Sequence, residues 1–565
     1  MGKSLVFVRD VRRYTKLQSL YLAGPGSVRS VGINQVFGMA EPAPCLCSSV
    51  VNDERWHRLP NDRLARRLGV RDLVEPTPVD WPDDLRSMPA DALQAVRRFP
   101  LTEYCLGCGL LYNWDEVLNS KNGLRYSAGG KCPHKASGGH PTRGTTQQVE
   151  WLWACERGHL ESVRPRCQEC TGRLRRRRKG SHFGFELECT QCGRMVDLSR
   201  DTTRPCSGLM PNAVTPGEQT VACQEDMHLH RAADPALWRP RMLTVLHLPR
   251  HIRLTEGQYD VVSASVTAPA YRRKSTPHER IEYVRDRLTD AGMDVDLDET
   301  TLEQVDATVA GTSAGAVGGG SDEEFLALGE ELRREEMDQL DDLRRQAASL
   351  PLFEGGRARD LGQGPFSAVS GITRLRVTTV LDAAFRLSGQ PGRALLWGHQ
   401  PDSAVLRQPS HGSLPAFQSF GEGLLLWLRE PQGSAGVNPA TEAHTLAHVV
   451  IRALAVHAGV SQPSLRERVY LDPVPAILVY QASGDQVGTL GGLATLADRH
   501  GWLEVMLNDA VAAQQWCSLD PICREDRGAA CHQCLYLPET SCEGALGTGR
   551  LNEGLSRDAI ARWCM

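Results

Sequence analysis

Residues 167–192 read CQECTGRLRRRRKGSHFGFELECTQC, two Cys-x-x-Cys pairs (Cys167/Cys170 and Cys189/Cys192) with 18 residues between them. No other feature restricts the folding of this chain as tightly. A Cys-x-x-Cys turn presents two thiolates from one knuckle. Zinc takes four nitrogen or sulfur ligands in a tetrahedron, so a second pair at this distance closes the site. The expected local structure is a two-knuckle ribbon around a structural zinc ion. The alternative is a pair of reduced turns without metal.

The redox setting supports metal. The N-terminus, MGKSLVFVRDVRRYTK, lacks the apolar core of a signal peptide, and no apolar run approaches the length of a membrane span. The expectation is a cytoplasmic protein away from membranes. In a reducing compartment 18 cysteines, many in pairs, argue for metal binding over disulfides. The net charge is −4 and the pI about 6.5, so overall charge gives no nucleic-acid signal and any such signal must be local.

A second site starts at Cys105-x-x-Cys108. Its favoured partners are Cys132 and His134 in KCPHKASGGH, with His140 as the alternative. Cys155 and His159 stand at i and i+4; on a helix they could share a metal, and a structural pair is the plain alternative. Cys206 and Cys223 have no paired neighbours. The C-terminal stretch GAACHQCLYLPETSC contains the knuckle Cys531-x-x-Cys534, flanked eight residues away on each side by Cys523 and Cys542. These four thiolates are read as one zinc site, with Cys517 and His532 as substitutes. A redox dithiol is disfavoured because no thioredoxin-like context surrounds the pair, and zinc fits better than an iron–sulfur cluster.

At 565 residues the chain is too long for one core. Four regions follow from composition. Residues 1–100 are an N-terminal region, and 101–230 a zinc-ribbon-rich region. Residues 231–350 connect, with a small-residue linker at 307–321 and then a charged helix. There Phe325, Leu328, Leu332, Met337, Leu340 and Leu343 recur at helical spacing. Residues 351–565 mix helical periodicity (441–459) with the apolar strand AILVYQA (476–482). The expected fold class is multidomain α/β: small zinc-ribbon modules in the N-terminal part and a C-terminal α/β domain with a four-cysteine zinc knuckle.

Other patterns carry weaker chemistry. Arg173, Arg175, Arg176, Arg177, Arg178 and Lys179 make a basic tip between the ribbon knuckles, able to bind phosphate without reading sequence. A solvated loop or an acidic partner is the alternative. His444 and His448 share a helical face, but Thr445 stands where a zinc protease needs Glu, so packing or a polar contact is the default. Arg466, Glu467 and Arg468 read as a salt-bridged surface. GTLGGL could approach a phosphate but no Lys follows, and no G-x-x-x-x-G-K-[ST] occurs in the chain. No complete catalytic constellation is visible.

HTLAHVVIRALAVHAGVSQPSLRERVY, GDQVGTLGGL, WCSLDPIC and AACHQCLYLPETSCE together resemble the C-terminal zinc-binding domain shared by MrfA-type helicases and the DrmB family of the DISARM anti-phage system. LYLAGPGSVRSV (20–31), WACERGHLESV (153–163), ITRLRVTTVLDAAFRL (372–387) and LPAFQSFGEGLLLWL (414–428) resemble further DrmB-family stretches in the same order. The chain departs from that pattern in having LRV where the family has L-R-E-V and A-F where it has G-F. The resemblance implies a non-enzymatic, zinc-containing subunit. It would pair with a DrmA-like superfamily 2 helicase and contribute to DNA binding in defence. It also implies that the C-terminal cysteines are metal ligands and that this domain faces the helicase. A metal-dependent nuclease or other DNA-processing enzyme, using His444, His448 or an acid site that no motif marks, is the competing expectation.

Overall fold

The computed structural model describes residues 27–32, 42–47, 56–59, 61–76, 96–113, 132, 146–177, 185–198, 202–209, 222–247, 256–293, 297, 302, 322–346, 358–387, 413–429, 438–457, 459–472, 475–482, 492–538, 541–543 and 551–564. His134, His140, Arg178, Lys179 and the 307–321 linker lie outside them. The chain is mixed α/β and divides into two compact units. Unit 1 takes in Met1–Met242, Gly318–Ser321 and Val380–Ala416; unit 2 takes in Leu243–Val317, Asp322–Thr379 and Phe417–Met565.

Unit 1 is a set of small antiparallel sheets. Thr102–Cys105 pairs with Leu111–Asn113 on one side and Thr146–Gln148 on the other. Leu174–Arg177 and Phe185–Cys189 pair between the two knuckles as the predicted ribbon, and Met195–Leu198 adds a third strand beyond the second knuckle. A four-stranded sheet runs Leu160–Ser162, Trp151–Ala154, Asp226–Arg231, Thr203–Pro205. Strands of three to six residues cannot bury much apolar surface. The core of this unit accordingly mixes Trp151, Trp153, Leu187 and Leu229 with buried cysteines 155, 167 and 189.

Unit 2 is a layered α/β body. Arg239–His247, Phe366–Phe385, Ser413–Leu428, Ala476–Ala482 and Arg466–Tyr470 lie side by side in that order in one sheet; the first three strands also contribute residues to unit 1. All seven residues of Ala476–Ala482 are buried, as its continuous apolar run requires of a strand covered on both faces. The helix Pro439–His457 packs on this sheet through Leu446, Val449, Val450 and Leu454. The helix Asp322–Gln346 buries Leu328 and Leu332, as its periodicity requires, and also Arg333 and Glu336.

Arg466–Tyr470 corrects the surface expected for Arg466, Glu467 and Arg468. All five of its residues are buried. Arg468 Nε lies 3.1 Å from Glu543 Oε2 and 3.7 Å from Glu336 Oε2, while Tyr470 and Tyr480 donate to Glu336 and Glu543 at 3.0 and 2.8 Å. Arg468 and Glu467 are paired, but in the interior.

Candidate metal centres

Four of the clustered cysteines lie in tight turns in which the thiol accepts a backbone N–H from two residues on. Gly107 donates to Cys105 Sγ at 3.3 Å, Gln191 to Cys189 at 3.4 Å, Gly208 to Cys206 at 3.3 Å and Leu519 to Cys517 at 3.5 Å. Such bonds favour the thiolate, the form that binds metal. At Cys189 the backbone N–H groups of Cys192 and Gln191 hold the thiol down to about 6.

The described residues contain five sets of donors whose ligand atoms all lie within 4.8 Å of one another. A tetrahedron of thiolates at roughly 2.3 Å from zinc has edges of about 3.8 Å, which gives a direct test of fit. In the ribbon, Cys167 and Cys192 are 3.9 Å apart and Cys170 and Cys189 are 3.4 Å apart. All four residues assigned there from sequence come together. Cys105, Cys108 and Cys132 also meet, with Cys108 and Cys132 3.8 Å apart and the Tyr112 hydroxyl 3.1 Å from Cys132. The position expected for a fourth ligand, His134, lies outside the described residues.

Cys155 and His159 lie on the turn between Trp151–Ala154 and Leu160–Ser162, not on a helix. They are joined by the two cysteines that sequence left unassigned, Cys206 and Cys223, in a set of three thiols and one imidazole. Cys155 and Cys206 are 3.6 Å apart, and His159 Nδ1 is 3.3 and 3.5 Å from them. Burial, with Arg386 and Arg157 nearby, pushes His159 down to about 4, so its imidazole is neutral and able to ligate. Arg386, fully buried, donates to the carbonyls of Leu237 and Gly158 and so fixes the turn. The local signal for this set was Cys-x-x-Gly-His together with Cys206-x-Gly208, the latter a knuckle with only one thiol.

The C-terminal set differs from the expected one. Cys523, Cys531 and Cys534 come together, but the fourth thiol is Cys517, and Cys542 is elsewhere. Cys517–Cys531, Cys523–Cys534 and Cys531–Cys534 are 3.7, 3.8 and 3.7 Å apart, near-ideal edges. Four thiolates around a divalent ion leave two negative charges. The buried Arg557 lies against Cys523 and is held by Asp520 at 2.6 Å. Equal spacing around the Cys531/Cys534 knuckle suggested Cys542. The chain reverses instead at the short helix Ile522–Asp526, which carries Cys517 back.

Cys542 meets His444, His448 and Glu467, four side chains from a helix, a strand and a C-terminal segment. Burial opposes charge on the two imidazoles. Cys542 and Glu467 outweigh it, lifting His444 to about 9 and His448 to about 10. This is the polar contact anticipated for the two histidines, within a larger cluster that sequence reading missed.

Within the basic tip, Leu174–Arg177 forms a strand. Arg173 stacks on Tyr112 and donates to the Leu111 carbonyl, and Arg176 stacks on Tyr104. Arg175 and Arg177 are exposed, the latter 2.7 Å from Glu188. Most of GTLGGL lies outside the described residues; at its end Leu493, with the following Ala494, donates backbone N–H groups to the buried Glu422 carboxylate at 2.8 and 3.4 Å. Among the described residues no helix is long and apolar enough to cross a membrane.

Two family models match the chain: a domain of unknown function, DUF8724, over residues 16–238, and the MrfA Zn-binding domain over residues 446–535. The second contains Cys517, Cys523, Cys531 and Cys534. The DISARM protein DrmB of Bacillus paralicheniformis is 37% identical over 109 residues, 18% of this chain and 19% of that protein. The chain thus matches about a fifth of the length of this curated relative. A crystal structure of the DUF1998 helicase MrfA bound to DNA covers 37% of this chain and 24% of its own at 12% identity, with a TM-score of 0.20. The donor chemistry, the tetrahedral edges and the matched domain agree on zinc as the metal. The chain carries an MrfA Zn-binding domain and is similar, over part of its length, to the DISARM protein DrmB.

Proposed function

We propose that this chain is a non-catalytic, zinc-organised subunit that forms a heterodimer with a DrmA-like superfamily 2 helicase and helps it hold DNA in cytoplasmic defence against phage. The observation that carries this reading is the match to the MrfA Zn-binding domain over the stretch that folds around Cys517, Cys523, Cys531 and Cys534. Similarity to a DISARM protein supports the defence setting. The sequence lacks a Walker A motif, so ATP-driven work falls to the partner. The nuclease reading is disfavoured because His444 and His448 are both 0% exposed, whereas a hydrolytic metal site keeps a position open to water.

The test is co-expression with a DrmA-like superfamily 2 helicase, followed by size exclusion, metal analysis and ATPase assay. One peak containing both chains and zinc, with ATP hydrolysis lost in a helicase Walker A variant, is expected. Separate peaks would refute the partnership. Plasmid cleavage by the purified chain with Mg²⁺ or Mn²⁺, lost on His444→Ala, would move the nuclease reading to the front.

A further inference from the structure

We propose that His444, His448, Glu467 and Cys542 bind a metal ion of their own, a structural zinc centre distinct from the four-thiolate centre in the same unit. The four side chains are 0, 0, 1 and 7% exposed. They converge from the helix Pro439–His457, the strand Arg466–Tyr470 and the segment after the Cys531/Cys534 knuckle.

The geometry fits. Around zinc at roughly 2.0–2.1 Å from nitrogen or oxygen and 2.3 Å from sulfur, tetrahedral edges are about 3.3 Å for N···O and about 3.5 Å for N···S. His444 Nε2 is 3.0 Å from Glu467 Oε1 and 3.5 Å from Cys542 Sγ, His448 Nε2 is 3.4 Å from the other carboxylate oxygen, Oε2, and one donor atom from each of the four residues lies within 4.8 Å of the rest. One hydrogen bond sets the tautomer. The Nδ1–H of His448 donates to the Leu535 carbonyl at 2.8 Å, which leaves the Nε2 lone pair facing the cluster, as in metal-bound histidines. Among the described residues His448 Nε2 and Glu467 Oε2 are buried without a hydrogen bond. Two inward-facing buried atoms of this kind are what a ligated ion would occupy. His444 Nδ1 lacks a hydrogen bond, so this imidazole is oriented by packing and by its Nε2 contacts to Glu467 and Cys542.

Charge leads to the same conclusion. A thiolate and a carboxylate in the interior require two positive charges. Two imidazolium rings would supply them at a centroid separation of 4.5 Å, where like charges in a buried site repel. One divalent ion supplies the same charge and uses the facing lone pairs. Thiolate and imidazole donors select zinc over magnesium or calcium. With four protein ligands and no exposed face, the centre is closed and its role is structural. It ties the stretch beyond the Cys531/Cys534 knuckle to the helix and strand beneath it.

The test is metal stoichiometry by mass spectrometry on the full-length chain. Cys542→Ser and His448→Gln should each lose one zinc per chain. Cys517→Ser should lose a different one, so that Cys517→Ser combined with Cys542→Ser loses two. A zinc content in Cys542→Ser and His448→Gln equal to that of the parent would overturn the proposal. Should those variants fail to fold, anomalous scattering at the zinc edge from crystals of the unaltered chain decides. A peak bonded to His448 Nε2 and Cys542 Sγ supports the centre, and peaks confined to the other donor sets refute it.

Discussion

Glu422 is 7% exposed, and its carboxylate takes the first two backbone N–H groups of the 3-10 segment Leu493–Arg499. Facing the same point is Gly371, where an added Cβ would lie 2.1 Å from the Ala494 carbonyl oxygen. A strand glycine here allows one backbone to approach another. Two predictions belong to these residues. Glu422→Gln removes the charge from a buried acceptor of two N–H groups and should cost about 1.5–3 kcal/mol. Hydrogen exchange reads it locally: the amides of Leu493 and Ala494 should lose protection, and unchanged exchange there would show that the carboxylate is not their acceptor. Gly371→Ala should lower the midpoint of urea unfolding by an amount equivalent to about 1–3 kcal/mol, through the displacement of Ala494. A midpoint within error of the parent would mean that the strand yields without strain.

The helix Pro439–His457 and the strand Arg466–Tyr470 show which parts of such a chain can be read from sequence. Helical periodicity located the first, and the knuckle spacing located the 167–192 ribbon, because in both the partners lie close along the chain. Cys155 with Cys206, and His444 with Glu467 and Cys542, are joined only by tertiary folding, and no local pattern marks them as partners. Spacing favoured Cys542 and kept Cys517 as a substitute, whereas the fold places Cys517 in the four-thiol set and Cys542 in another. The strand misled for another reason. Two arginines and a glutamate in five residues suggest solvent, yet Glu336 and Glu543 come from distant segments to meet Arg468. Burial pushes the Glu336 carboxyl up, and Arg468 opposes it. Arg468→Met should therefore cost about 3–5 kcal/mol in urea unfolding, since it strands buried acids. Glu336→Gln added to that variant should recover part of the loss, and strictly additive effects would show that the two side chains are not coupled.

For the molecule as a whole, the DNA binding proposed above would have to arise, on a chain of net charge −4, from a local field. The basic strand divides its side chains between two tasks. Arg173 and Arg176 are committed to Tyr112 and Tyr104. Replacing them should loosen the Cys105/Cys108 sheet and should be read as stability. Arg175 and Arg177 face solvent. The Arg177–Glu188 pair is a surface one, with the arginine 57% exposed and a value of about 0–1 kcal/mol, so a phosphate can displace the carboxylate. Each phosphate contact contributes about −0.9 to the slope of log K against log salt concentration. Arg175→Gln combined with Arg177→Gln, in the complex with the helicase, should make that slope shallower by about 1.8 on duplex DNA and about 1.4 on single strands, and weaken binding equally for unrelated DNA sequences. Fluorescence anisotropy of labelled single-stranded and duplex DNA over a potassium chloride series measures it. An unchanged slope would remove the strand from the DNA interface and leave the helicase partner to carry it. A loss confined to one sequence would mean that these arginines read bases, which a sequence-independent phosphate contact cannot produce.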